Sequence, residues 1–343
     1  MLAESLPSPL RVGSRAAAQR QVDLISIVVP VYSGESHLKN LISEMIPFTK
    51  TQTTPLGRAY RIQEVIFVHD GAQDGSDIVM KEMAAEHSFV RLIWLSRNFG
   101  QHAATLAGMA STVSNWVVTM DEDGQHNPAD IQNLLDVGIR SKSTLVYGKA
   151  ANTPPHGWVR NIASQVAKSV FAILMGSKDT SYFSSFRMID GEIARSLAAY
   201  CGHNVYLDGA LNWVTSHAEV CPVHLRTTQG RKSTYSFGRL TSHFFRMTMT
   251  SRRSPLRLIA YLGFLSVLVT LALSAWAAWD KIHGNVPIQG WTSLFLLISF
   301  FFGVVLLSIG VIAEYIGSLL SVSMGRPLYL IVSRSSTSRK MPC

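Results

Sequence analysis

Two stretches, Leu258 to Trp279 and Trp291 to Ala313, each run for about 22 residues without a charged side chain, long enough as helices to cross about 30 Å of hydrocarbon. Uncharged runs of that length are rare in soluble folds, so the sequence predicts two transmembrane helices, 258–279 and 291–313, behind an N-terminal domain. The composition agrees: hydrophobic residues make up 47% and charged residues 15% of the 343 residues, which is apolar for a soluble enzyme. Basic residues set the orientation. Arg252, Arg253 and Arg257 precede the first run, and Arg326, Arg334, Arg339 and Lys340 follow the second, whereas the connection 280–290 holds Lys281 alone among Lys and Arg. The positive-inside tendency then places both termini in the cytosol and the 280–290 loop outside, with Trp276, Trp279 and Trp291 as interfacial anchors.

Ahead of the apolar runs the patterning changes. Ile25 to Tyr32, Glu64 to Asp70 and Val90 to Ser96 are short β-branched runs suited to strands buried on both faces. His37 to Ile46, Asp74 to His87 and His102 to Val113 fit crossover helices, and a fourth strand ends near Met120. This βαβαβαβ order predicts a doubly wound α/β domain. Tyr32, Asp70, Arg97 and Asp121 lie at or just beyond strand ends, where such sheets bind ligands. No Gly-x-Gly-x-x-Gly turn follows the first strand and no Walker lysine loop is present, which argues against dinucleotide and P-loop chemistry.

The segment Asp121-Glu-Asp123-Gly-Gln125 ends the fourth strand. Alternation along extended chain puts Asp121 and Asp123 on one side, and oxygen ligands suit a hard divalent cation able to neutralise a diphosphate. An acidic pair in a surface turn would look the same locally; four polar strand ends converging on one crevice favour the site.

Several segments frame this domain. Residues 1–23 carry Arg11, Arg15 and Arg20 without a continuous apolar core and are expected to be a disordered basic extension, not a signal sequence. Residues 236–257 place Phe237, Leu240, Phe244 and Met247 at helical intervals among basic residues, a pattern for an amphipathic helix lying in the membrane interface or packed on the catalytic domain. Cys201, Cys221 and Cys343 have no metal-type spacing and are odd in number, as reduced cytosolic thiols would be. The net charge of +9 suits anionic lipid and phosphate partners; no nucleic-acid module is visible.

Between Leu24 and Leu330 the chain resembles the family 2 glycosyltransferases, and among them the polyprenyl-phosphate glycosyltransferases related to dolichol-phosphate mannose synthase. The carriers are Pro30-Val-Tyr32, Asp70-Gly-Ala-Gln-Asp74, Leu95-Ser-Arg-Asn-Phe-Gly100, Asp121-Glu-Asp123-Gly-Gln125-His-Asn-Pro128, Ser233-Thr-Tyr235-Ser, Pro255-Leu-Arg257 and Gly325-Arg-Pro-Leu-Tyr329, in that order. The resemblance implies a GT-A fold over 24–235, a tail over 314–343, and a bacterial inner-membrane enzyme that assembles as a homo-oligomer, a tetramer in related enzymes. It implies inverting transfer from a nucleoside diphosphate sugar, UDP in the bacterial branch, to undecaprenyl phosphate. Pro30, Tyr32, Glu35, Asp70, Arg97 and Asp121 would then hold the donor, and Asp121, Asp123 and Gln125 a Mg²⁺ or Mn²⁺. Lys149, Arg160, Ser164, Arg226, Arg231 and Lys232 match positions that hold acceptor or donor phosphates.

The chain also departs from the family pattern. His69 stands where a second Asp is usual, Ser33-Gly34-Glu35 replaces Asn-Glu-Glu, and Ser185 occupies the place of an Asp proposed as base in many bacterial relatives. A phosphate monoester loses its second proton near pH 6, so its oxygen is already a nucleophile. Asp123 is therefore expected to matter greatly and Ser185 little, with Asp179 as a fallback base. The alternatives are a catalytically silent nucleotide-sugar-binding scaffold and a polysaccharide synthase; the latter's Gln-x-x-Arg-Trp signature is missing from the chain.

Overall fold

The computed structural model describes residues 22–72, 74–151, 183–202, 206–215, 217–226 and 290–333, together with residues 268, 272 and 279. The chain opens with β1 (Asp23–Val31) and α1 (Leu38–Met45), then a 3₁₀ turn over Ile46–Thr49. A short β2 (Gln52–Thr53) leads into β3 (Ala59–His69), α2 (Ser76–Glu86), β4 (Val90–Leu95), α3 (Gln101–Ala110) and β5 (Trp116–Thr119). Beyond the acidic segment come α4 (Ile131–Ser141), β6 (Leu145–Ala150), β7 (Arg187–Asp190), α5 (Gly191–Tyr200), α6 (Leu207–Val214) and β8 (Glu219–Val223). The last elements are α7 (Trp291–Ser323) and β9 (Ile331–Val332).

The strands form one sheet in the order β8-β6-β7-β5-β1-β3-β4-β9, with β2 added to β3. The four strands expected from the apolar runs are adjacent and parallel, as β5-β1-β3-β4. The sheet as a whole is mixed. β7 runs antiparallel to both β5 and β6, and β9 antiparallel to β4. Four residues of β7 and two of β9 are too few to show a period, so the sequence pattern carried no sign of them.

Both faces are covered, which is why β1 is apolar at successive positions. Ile27 and Val29 of β1 meet Leu38, Leu41, Ile42 and Met45 of α1, Met80 of α2 and Leu134 of α4 on one side. Val28 points the other way, into a cluster with Ala104 and Ala107 of α3, Leu197 of α5 and Leu211 of α6. The helices therefore lie on both sides of the sheet, and the strand order reverses between β5 and β1, the place where sheets of this kind bind ligands.

The C-terminal stretch expected to be a tail returns to this domain. Leu328 and Tyr329 pack against the second cluster, the Ser96 amide donates to the Leu330 carbonyl at 2.9 Å, and β9 closes the β4 edge. The helix expected over 291–313 continues to Ser323 as part of α7. The expected interfacial helix 236–257 and first span 258–279 lie outside the described residues, apart from single positions. Among the described residues no helix is long and apolar enough to cross a membrane; many side chains of α7 fall outside that set.

Candidate functional site

Parallel pairing sets the strand ends in register. Val31 lies beside His69, and His69 beside Trp94. Val28 lies beside Thr119, and the Met120 amide donates to the Val28 carbonyl at 3.1 Å. The residues that follow, Asp121, Tyr32, Asp70 and Arg97, therefore stand in a row along the carboxyl edge of the sheet, as the sequence predicts.

Asp121 is held at both oxygens. Gln101, opening α3, donates its side-chain amide to Oδ1 at 2.6 Å, and the Ser185 hydroxyl donates to Oδ2 at 2.6 Å. Ser185 is itself fixed, because its carbonyl accepts from the Thr119 hydroxyl at 2.7 Å. The sequence marks Ser185 only as the replacement of a usual Asp and Gln101 not at all, since their contacts with Asp121 span 64 and 20 residues. Asp123 Oδ1 accepts the Gln125 amide at 3.1 Å, and the Gln125 carbonyl accepts the Arg226 amide at 3.0 Å.

Among the described residues no three His, Cys, Asp or Glu gather into a group able to hold a metal. The oxygen set still fits a Mg²⁺ or Mn²⁺ bound by one or two carboxylates, the remaining positions being filled by a substrate diphosphate and water. The donors on Asp121 are neutral, and each carboxylate oxygen has a second lone pair. His126 lies beneath, buried and stacked on Phe186 at 5.0 Å, its Nδ1 without a hydrogen-bond partner. Burial pulls its imidazole pKa down against the opposing pull of Asp121 and Asp123, which favours the neutral ring.

Glu122 lies in the turn that follows β5, and its carboxylate reaches the loop after β1. Its Oε2 accepts the Tyr32 amide and its Oε1 the Ser33 amide, each at 2.9 Å, and the residue is buried. This contact between neighbouring strand ends was missed from sequence, where Glu122 reads as the spacer of the acidic pair. Beside it, the Gly34 amide donates to the Ser76 hydroxyl at 2.9 Å, and Glu35 Oε2 accepts the Gly75 amide at 3.0 Å. The Glu35 carboxylate thus ties two loops together, a task the sequence did not disclose.

Asp70 is likewise engaged. Its oxygens accept the Phe99 amide at 2.7 Å and the Gly100 amide at 2.8 Å. Burial raises its pKa to about 6, against the stabilising pull of those amides and Arg97. Gly71 beside it has φ +67 and approaches the next loop so closely that a Cβ would lie 2.7 Å from the Asn98 nitrogen, which only glycine tolerates. Arg97 stacks its guanidinium 4.1 Å over Phe99. His69, buried with both ring nitrogens unpartnered, packs against Trp94 at 5.0 Å. Tyr32 is 52% exposed, and Pro30 sits in β1 two residues before it.

The phosphate-holding candidates divide. Lys149 is exposed near the end of β6. The Arg226 guanidinium is paired with both oxygens of Glu44 at 2.7 Å, so its charge is directed at α1. Arg160, Ser164, Asp179, Arg231 and Lys232 lie outside the described residues.

The model of the family described as Glycosyl transferase family 2 matches residues 26–208. An uncharacterized glycosyltransferase of Synechocystis sp. is 26% identical over 307 residues, covering 90% of this chain and 94% of its own. Bactoprenol glucosyl transferase of Shigella phage SfX is 25% identical over 311 residues, 90% of this chain and 99% of its own. Among solved structures, glucosyl-3-phosphoglycerate synthase from Mycobacterium tuberculosis, in complex with Mn²⁺ and UDP-glucose, is similar with a TM-score of 0.47 and 17% identity, over 66% of this chain and 77% of that one.

Proposed function

Because this chain belongs to glycosyl transferase family 2 and is a glycosyltransferase, we propose that it moves a sugar from a nucleoside diphosphate, UDP in the first instance, to a polyprenyl phosphate at the cytosolic face of a membrane. The observation that carries this reading is the row of Asp121, Tyr32 and Asp70 at the carboxyl edge of the parallel strands, with a serine and no carboxylate at position 185 beside Asp121. A hydroxyl acceptor would need a base at the reaction centre. A phosphate acceptor is already ionised above pH 6.

The acceptor oxygen attacks the anomeric carbon opposite the diphosphate, the bond to the diphosphate breaks, and the configuration inverts. A divalent cation between Asp121, Asp123 and Gln125 would neutralise the departing diphosphate. The chain's own residues do the positioning: Gln101 and Ser185 orient Asp121, while Asp70 holds the Phe99–Gly100 loop. A lipid acceptor is supported by the relative named bactoprenol glucosyl transferase, which matches over nearly its full length.

Membrane insertion is part of the proposal and rests on the two uncharged runs and their basic flanks. The second run lies within one continuous helix of 33 residues, about 50 Å at the usual rise. Leu294, Ile298, Phe302, Ile309 and Ile316 are exposed along it, as lipid-facing side chains would be.

The test is transfer of radiolabel from a panel of UDP and GDP sugars to undecaprenyl phosphate by the purified full chain, with Mn²⁺ or with EDTA. Label should enter the organic phase only with metal, and Asp123→Ala should lose at least about a thousandfold. Ser185→Ala should retain turnover within about tenfold. Transfer that survives EDTA would remove the metal, and loss of all turnover in a folded Ser185→Ala that still binds nucleotide and Mn²⁺ as the wild type does would remove the ionised acceptor.

A further inference from the structure

We propose that Glu122 is a positioning residue for donor binding: its buried carboxylate fixes the backbone of Tyr32 and Ser33 and so sets where the Tyr32 ring meets the nucleotide, without touching the nucleotide itself. This rests on the reading of Tyr32 as a donor-site residue.

Three observations carry it. The two oxygens of Glu122 accept successive amides, Tyr32 and Ser33, at 2.9 Å each. A two-point contact of this kind fixes the orientation of the intervening peptide as well as its distance. The loop is moulded around the carboxylate, since a Cβ at Gly34 would stand 2.8 Å from Glu122 Oε2 and 3.0 Å from Leu38 Cγ. The third observation concerns placement. Glu122 is 8% exposed whereas Tyr32, whose amide it holds, is 52% exposed at the edge of the crevice. The carboxylate therefore acts at the boundary between core and site, where a displacement of the loop would move an aromatic ring that has few neighbours of its own. Desolvating a carboxylate is costly, and the two amides at the neighbouring strand end contribute to offsetting that cost.

The same geometry explains how one residue serves two neighbours. Glu122 lies between Asp121 and Asp123 in the turn that follows β5, and its carboxylate reaches the passing first loop at two successive amides. A shift in that loop would be passed on through the Gly34 amide to Ser76, and so to the loop before α2.

The experiment uses the full chain in detergent and measures the Kd for UDP and GDP by calorimetry, KM and kcat for transfer, and thermal unfolding. The variants are Glu122→Gln, Glu122→Ala, Gly34→Ala and the double variant Gly34→Ala with Glu122→Ala. Glu122→Ala should raise nucleotide Kd and donor KM about tenfold while kcat changes less than about threefold. Glu122→Gln keeps one acceptor and should fall between. Gly34→Ala alone should weaken binding comparably, yet add clearly less than its own effect in the Glu122→Ala background, where the nearest atom it would meet is gone and Leu38 alone remains.

Amide hydrogen exchange at Tyr32 and Ser33 should quicken in Glu122→Gln with the rest of the sheet unchanged, a readout available even where the alanine variant unfolds. Unchanged Kd and KM in Glu122→Ala, with wild type binding nucleotide, overturn this proposal alone. So does a loss confined to thermal stability with Gly34→Ala fully additive. A wild-type chain that binds neither nucleotide overturns the donor reading and this proposal together.

Discussion

At the scale of the residue, the site is made of carboxylates with different tasks. Asp121 follows the end of β5 and accepts from Gln101 and Ser185, whereas Glu122, Glu35 and Asp70 spend their oxygens on backbone amides of neighbouring loops. Spacing singled out the Asp121 and Asp123 pair, because a motif is a local pattern. It could not reveal the others, whose partners arrive from 29 to 90 residues away. Asp70 makes this division measurable. Its pKa in the folded chain is raised from 3.8 to about 6 by burial, so between those values the native state binds more protons than the unfolded state, and stability rises as pH falls. The melting temperature of the wild type relative to Asp70→Asn should therefore increase from pH 7 to pH 5, by an amount corresponding to roughly 1 kcal/mol. A difference that shrinks over this range would mean that the Phe99 and Gly100 amides outweigh burial.

At the scale of the element, the long periodic segments were legible and the short ones were not. The sequence placed strands at 25–32, 64–70 and 90–96, and the observed β1, β3 and β4 overlap each of them. α1, α2 and α3 occupy the expected crossovers within a few residues. β7 was invisible, yet it carries Ser185 to Asp121 through the residues just before it. Its first residue, Arg187, is buried and ion-paired with Asp208 of α6, and its Nε donates to the Thr119 hydroxyl at 3.1 Å. Asp208 also accepts the Tyr147 hydroxyl at 2.9 Å. This cluster fastens α6 to the middle of the sheet directly under the acidic segment. Removing one partner of a buried pair strands the other charge, so Asp208→Ala should cost about 3–5 kcal/mol in denaturant unfolding. A loss below about 1 kcal/mol would show that Arg187 finds water or another acceptor.

At the scale of the whole molecule, the chain leaves its catalytic domain, forms the 33-residue α7 and comes back to pair β9 with β4. That return links the last helix to the strand leading into the Arg97 loop, so the site and the proposed membrane anchor are joined by a sheet edge and not by a loose tail. If the anchor reading is right, the full chain should stay with the membrane through alkaline carbonate washing and leave it only in detergent; release by carbonate or high salt would mean a surface association. What the sequence by itself determined are the properties that follow from local order: the βα alternation, the place of the acidic segment just beyond a strand end, the uncharged runs and their basic flanks. What only the tertiary structure decided are the contacts whose partners are far apart along the chain. The hydroxyl of Ser185 on Asp121, Glu122 beneath the Tyr32 amide, Arg226 turned to Glu44 and β9 on β4 all depend on how segments tens to hundreds of residues apart pack together. Such pairings leave no period in the sequence, because their geometry comes into being only when the sheet is assembled.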